Sequence, residues 1–169
     1  GSDSMQDFRE LKRRGERITA LTAYDYPTAR LLDESGIEII LVGDSLGMVV
    51  LGYEDTTEVT LDEMIHHTRA AARGVKRALL VGDLPIHTYQ DAAQAVRSAR
   101  ALMNAGAHAV KLEGGASHVA QIEAIIAEGI PVMGHVGMLP QSVREEGGYK
   151  VKGRTPTEAE ALLGDRQVG

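Results

Sequence analysis

Five short apolar runs recur along the chain a few tens of residues apart, and this spacing restricts the fold more than any other feature. They are residues 18–25 (ITALTAYD), 38–45 (EIILVGDS), 78–85 (ALLVGDLP), 109–115 (AVKLEGG) and 131–138 (PVMGHVGM). Nearly continuous Ile, Leu, Val and Ala is the pattern of parallel strands covered on both faces. The stretches between them carry helix punctuation. Pro27 falls in a first helical turn and Gly36 at its stop. Thr60 and Glu63 form a capping-box pattern ahead of Met64, Ile65, Thr68 and Ala72, with Gly74 closing the run. Ala92, Val96, Ala99 and Met103 share one helical face before Gly106. Ile122, Ile125 and Ile126 repeat the pattern before Gly129, and Thr155, Pro156 and Glu158 open one more helix.

Such alternation predicts an α/β fold with a parallel sheet, either a barrel or a doubly wound sheet. The chain supplies about five β/α units, whereas a closed barrel has eight and about 250 residues. At 169 residues it is long enough for one core. A formal charge of −6 with no dense basic run argues against a nucleic-acid partner. The absence of cysteine removes disulfides and thiolate metal sites. No apolar run approaches a membrane span, and the charged N-terminus lacks a signal-peptide core, so the expectation is a cytoplasmic protein without a membrane partner. Residues 1–4, ahead of Met5, read as a cloning remnant.

In both architectures ligands bind at the carboxyl ends of the strands, where Tyr24, Asp25, Asp44, Ser45, Asp83, Lys111, Glu113 and His135 cluster in the sequence. Each has an ordinary alternative. Asp44-Ser45 is also a common turn or helix cap. Asp83 near Pro85 can simply start a turn, and a lone histidine such as His135 is often a hydrogen-bonded core residue. Lys111 and Glu113 lie on one strand face with Val110 and Leu112 on the other, so they form an ion pair or meet a ligand. Taken together, Asp44, Asp83 and Glu113 suggest a hard divalent cation held by oxygen, with Mg²⁺ preferred over zinc. With Lys and His nearby, the cation would chelate the carboxylate and keto oxygens of a 2-oxo acid and hold the charge of its enolate.

At these residues the sequence becomes recognisable. Residues 22–26 (TAYDY), 42–53 (VGDSLGMVVLGY), 83–85 (DLP), 110–115 (VKLEGG), 134–143 (GHVGMLPQSV) and 147–154 (GGYKVKGR) occur in order. Over roughly residues 8–165 the chain resembles the 3-methyl-2-oxobutanoate (ketopantoate) hydroxymethyltransferases of pantothenate biosynthesis. The resemblance implies a TIM-type (β/α)8 barrel in a homo-oligomer, a decamer in the family, using Mg²⁺ and 5,10-methylenetetrahydrofolate as one-carbon donor. It implies Asp44 and Asp83 as metal ligands, with Glu113 completing the metal environment. Asp44, Ser45, Asp83 and Lys111 would hold the 2-oxo acid, with Lys111 and His135 as catalytic residues.

The implied reaction removes a proton beside the keto group of 3-methyl-2-oxobutanoate, and the enolate attacks the folate-borne methylene. The family's general base is a glutamate on a later strand than this sequence reaches. Residues 166–169 depart from the family pattern, and DLPF is DLPI here, followed by His87. The domain expectation is therefore residues 5–165 as the N-terminal part of a barrel. Two other readings share these residues: a metal-dependent 2-oxo-acid lyase or mutase of the phosphoenolpyruvate-mutase type, and a non-catalytic half-barrel for binding or assembly. Residues 46–58, long for a β/α connection, suggest a lid or a packing loop at a subunit interface.

Overall fold

The computed structural model describes residues 18–134. Five parallel strands, β1 (Ala20–Thr22), β2 (Ile39–Val42), β3 (Leu79–Asp83), β4 (Ala109–Lys111) and β5 (Val132–Met133), lie in the sheet in sequence order. Each strand pairs in parallel with the next, for example Ile40 opposite Leu80 and Asp83 opposite Lys111. A doubly wound sheet reverses its strand order at a switch point, whereas a barrel adds each strand beside the last. The uninterrupted order is the barrel pattern, and it settles what periodicity left open.

Strand alternation divides the apolar residues between two cores. Ile40, Val42, Leu80, Val110 and Val132 face the helices within the larger one. Ile39, Leu79, Val81, Ala109 and Met133 form a second cluster on the opposite face, the inner wall of a barrel. Asp83 and Lys111 sit two residues beyond Val81 and Ala109, so they belong to that inner face at its carboxyl end.

The helices follow their punctuation. Helix α1 (Tyr26–Glu34) has Asp25 as N-cap, Pro27 in its first turn, and Gly36 in the left-handed region (φ 90°) just past its end. A four-residue helix, α2 (Leu46–Val49), and a 3₁₀ turn (Thr56–Glu58) occupy the β2–α3 connection. Helix α3 (Leu61–Ala72) begins with the expected Thr60–Glu63 capping box. Helix α4 (Ala92–Ala105) is followed by α5 (Val119–Ala127), which buries Ile122, Ile125 and Ile126.

The seam of α4 differs from the expected stripe: Ala95, Ser98, Ala99 and Leu102 are buried, while Val96 and Met103 pack at its margin. The sheet surface sets the seam: Leu102 fills the space over Gly82, where a β-carbon would stand 3.2 Å from Leu102 Cδ1.

Candidate active site at the carboxyl ends of the strands

The carboxyl ends of β2, β3 and β4 bring Asp44, Ser45, Asp83, Lys111 and Glu113 into one region, while His135 lies outside the described residues. Asp83 is the centre of this group. Its Oδ2 accepts a hydrogen bond from the Asp44 backbone N–H at 3.0 Å, linking β3 to the loop after β2. Its Oδ1 is buried with no hydrogen-bond partner among the described residues. A buried, unpartnered carboxylate oxygen costs free energy, and the carboxyl responds by holding its proton. Burial pushes Asp83 up to about 7, against the opposing pull of Lys111 and the Asp44 N–H and with the added repulsion of Asp44 and Glu113. Asp44 is also raised, first by burial and then by the charge of Glu113.

The ordinary readings of these positions hold only in part: residues 44 and 45 do form a turn, with the Gly47 N–H bonded to Asp44 O at 3.0 Å. Ser45 stands at the N-cap of α2 but makes no capping bond; its Oγ lies 2.8 Å from the Tyr24 hydroxyl instead. Asp83 does not start the following turn, which closes later by Thr88 N–H and Oγ–H bonds to Pro85 O. Within that turn Ile86 is exposed and His87 takes a left-handed backbone (φ 78°), an uncommon state for a residue with a β-carbon. Lys111 Nζ and Glu113 Oε2 do form an ion pair, a long one at 3.7 Å. Its two ends differ: the Lys111 side chain is 17% exposed and that of Glu113 64%. The expected cost of burying two charges therefore falls on Lys111 alone.

Gly43 supplies the space. A β-carbon there would sit 3.3 Å from Ser45 Oγ and 3.4 Å from Asp83 Oδ2, so its absence leaves a gap edged by a hydroxyl and a carboxylate. The donor set is entirely oxygen, which suits a hard cation. Among the described residues no three carboxylates or imidazoles converge tightly enough to enclose a metal ion. Mg²⁺ does not require that, since it keeps waters and takes one or two protein carboxylates beside an anionic substrate. Asp44 and Asp83 fit this role, with Glu113 near enough for its charge to act on both.

Two further side chains border the site, one read from sequence only as a strand-end residue and one not singled out there. Tyr24 has just been described. Tyr89, buried on the β3–α4 loop, feels the charges of Glu113, Asp44 and Asp83, and burial raises its phenol while the Glu113 N–H draws it down. His118 packs edge-on against its ring at 5.1 Å. A tyrosine six residues past a strand-end aspartate carries no periodic signal, so only the folded loop reveals it.

Comparison with known proteins turns on residues 3–168, which match the family model for ketopantoate hydroxymethyltransferase. The chain belongs to the ketopantoate hydroxymethyltransferase family. It is 55% identical over 168 residues to the 3-methyl-2-oxobutanoate hydroxymethyltransferase of Clostridium botulinum (strain 657 / Type Ba4), covering 98% of this chain and 61% of that protein. It is 53% identical over 165 residues to the enzyme of the same name from Clostridium novyi (strain NT), covering 96% and 60%. The chain thus spans about 60% of the length of these family members.

Among solved structures it resembles the phosphoenolpyruvate phosphomutase of Streptomyces platensis subsp. rosaceus, with TM-score 0.64 and 19% identity over 77% of this chain and 52% of that one. A 2,3-dimethylmalate lyase of the PEP mutase/isocitrate lyase superfamily matches with TM-score 0.62 and 19% identity, over 78% and 51%. At such identity these likenesses show a shared fold. The mutase-type reading rests on that fold alone, whereas the hydroxymethyltransferase family matches along nearly the whole chain.

Proposed function

We propose that this chain carries the Mg²⁺ and 2-oxo-acid site of a 3-methyl-2-oxobutanoate hydroxymethyltransferase. The whole protein would transfer a hydroxymethyl group from 5,10-methylenetetrahydrofolate to 3-methyl-2-oxobutanoate, in the cytoplasm, for pantothenate biosynthesis. Family membership supports the reaction. The single observation that carries the site is Asp83, a buried carboxylate with one oxygen tied to Asp44 and the other unmet.

Asp44 and Asp83 would hold the cation, with Glu113 at its outer edge. When bound, the cation supplies positive charge against the carboxylate and keto oxygens of the acid, which raises the acidity of the neighbouring C–H. Lys111, on the inner face and largely covered, sets a second positive charge beside the same oxygens. Ser45 offers a hydroxyl to the acid's carboxylate across the gap at Gly43. On the family pattern His135 stands near the transferred carbon. The exposed apolar run at residues 48–51, with Ile86 also exposed, supports a homo-oligomer.

Isothermal titration calorimetry tests the site: 3-methyl-2-oxobutanoate should bind saturably with Mg²⁺ and negligibly without it. Equal binding in both conditions, or none in either, sinks the assignment. Ketopantoate formation by the protein carrying this chain, on adding methylenetetrahydrofolate, tests the reaction separately from the binding.

A further inference from the structure

Tyr24 stands two residues past β1, and its position is fixed from two sides. The preceding residue, Ala23, donates its N–H to Leu41 O at 3.1 Å, extending the β1–β2 pairing. The carbonyl of Tyr24 lies 2.7 Å from Nδ1 of His67 on α3. A carbonyl only accepts, so His67 Nδ1 carries the proton and donates it. The tyrosine ring packs against the helix-side core. Its hydroxyl therefore reaches Ser45 Oγ at 2.8 Å from a rigid base.

The consequence concerns proton direction. A serine hydroxyl has one proton and must choose an acceptor; a tyrosine hydroxyl has one proton and can fill a serine lone pair. The Ser45 hydroxyl makes no capping bond to the start of α2. Its oxygen instead borders the gap at Gly43, with Asp83 Oδ2 on the same gap. If Tyr24 donates to Ser45, the Ser45 proton is left for whatever occupies the gap. If Ser45 donates to Tyr24, an anion in the gap meets a lone pair.

We propose that Tyr24 is a positioning residue for the 2-oxo acid, donating to Ser45 Oγ so that the Ser45 proton points at the ligand carboxylate. This rests on the site reading given above and adds a residue to it. Hydrogen bonds in series polarise one another, so the Ser45–carboxylate bond is stronger with Tyr24 behind it.

The test is a double-mutant cycle on the full chain, titrating 3-methyl-2-oxobutanoate calorimetrically in saturating Mg²⁺. Tyr24→Phe keeps the ring and its packing and should weaken binding by about 3- to 10-fold, the loss of one neutral hydrogen bond behind Ser45. Ser45→Ala should weaken it at least as much, and the double variant should match Ser45→Ala, because Tyr24 acts only through that oxygen. A merely structural tyrosine gives multiplying losses instead, and that result overturns the proposal. So does an unchanged dissociation constant in either single variant, and Ser45→Ala reads the link even where Tyr24→Phe lowers the melting temperature. A wild-type chain that binds no 2-oxo acid overturns the underlying site reading, and this role with it.

Discussion

The two ends of one sheet treat buried polar groups in opposite ways. At the amino ends of the strands two such groups are closed by backbone. Asp33, 5% exposed, accepts the N–H groups of Arg77 and Ala78 at 2.9 and 2.8 Å just before β3. His108, just before β4, accepts the Leu80 N–H on Nδ1 at 2.9 Å. At the carboxyl ends, Asp83 has, among the described residues, a single backbone donor and one buried oxygen without a partner. Both ends lie in the same sheet, so burial alone does not distinguish them. The difference is whether the chain itself completes the hydrogen bonding.

The strongest way to break this contrast is Asp83→Asn. It should lower Mg²⁺-dependent 2-oxo-acid affinity by about a hundredfold or more, because a neutral amide cannot replace a carboxylate ligand. The same change should leave the unliganded chain as stable as before or more so, since a buried carboxyl that resists ionisation gives way to a neutral amide. Thermal melts at neutral pH without ligand check this, and a large loss of stability would place Asp83 with the structural group. Asp33→Ala should do the reverse. It strands two buried N–H donors and should cost about 2–4 kcal/mol in denaturant unfolding, with 2-oxo-acid affinity per folded molecule unchanged.

A smaller effect sharpens the amino end. Burial draws His108 down to about 4, and its bond from Leu80 N–H requires an unprotonated Nδ1. The folded value lies below the ordinary one of 6.5, so the unfolded chain binds the extra proton first. The stabilisation is complete above pH 6.5 and falls away as the pH drops towards 4. Because the ring is partly solvated, the loss should be about 1 kcal/mol. His108→Gln should flatten that part of the stability–pH curve, as read by urea unfolding from pH 7 to 4. Asp33 acts at lower pH: burial raises it, but the N–H groups of Ala78, Arg77 and Lys76 outweigh burial and hold it below its usual 3.8, so its contribution is complete above that pH and is lost only below it.

How much of this was legible beforehand follows the same division. The strands, the helix starts at Pro27 and at the Thr60 capping box, and the polar residues at strand ends all carry local signals, because each depends on neighbours in sequence. Strand order does not, and the choice of a barrel came from the pairing of β1 through β5. The Tyr24–Ser45 and Asp44–Asp83 contacts join residues 21 and 39 positions apart, and no periodicity announces them. The stripe on α4 was right at Ala99 but missed Leu102, whose partner Gly82 lies on another element. Glu113 shares a face with Lys111 as expected, but alternation says nothing of depth, and the side chain stands mostly in solvent.

The β2–α3 connection is packed unevenly along its length. At its base, a β-carbon on Gly47 would stand 2.4 Å from Val59 Cγ2 and 3.2 Å from the ring of Tyr53, whose hydroxyl is in turn bonded to Glu63 at 2.5 Å. At its tip, Met48, Val49 and Val50 are about half exposed or more. Drift along this connection is therefore steered: any side chain at 47 pries apart a clasp two residues from Ser45, while the tip can change without disturbing the base. A library that explores new neighbours for this molecule has residues 48–50 to work with, while a side chain at residue 47 forces its packing apart.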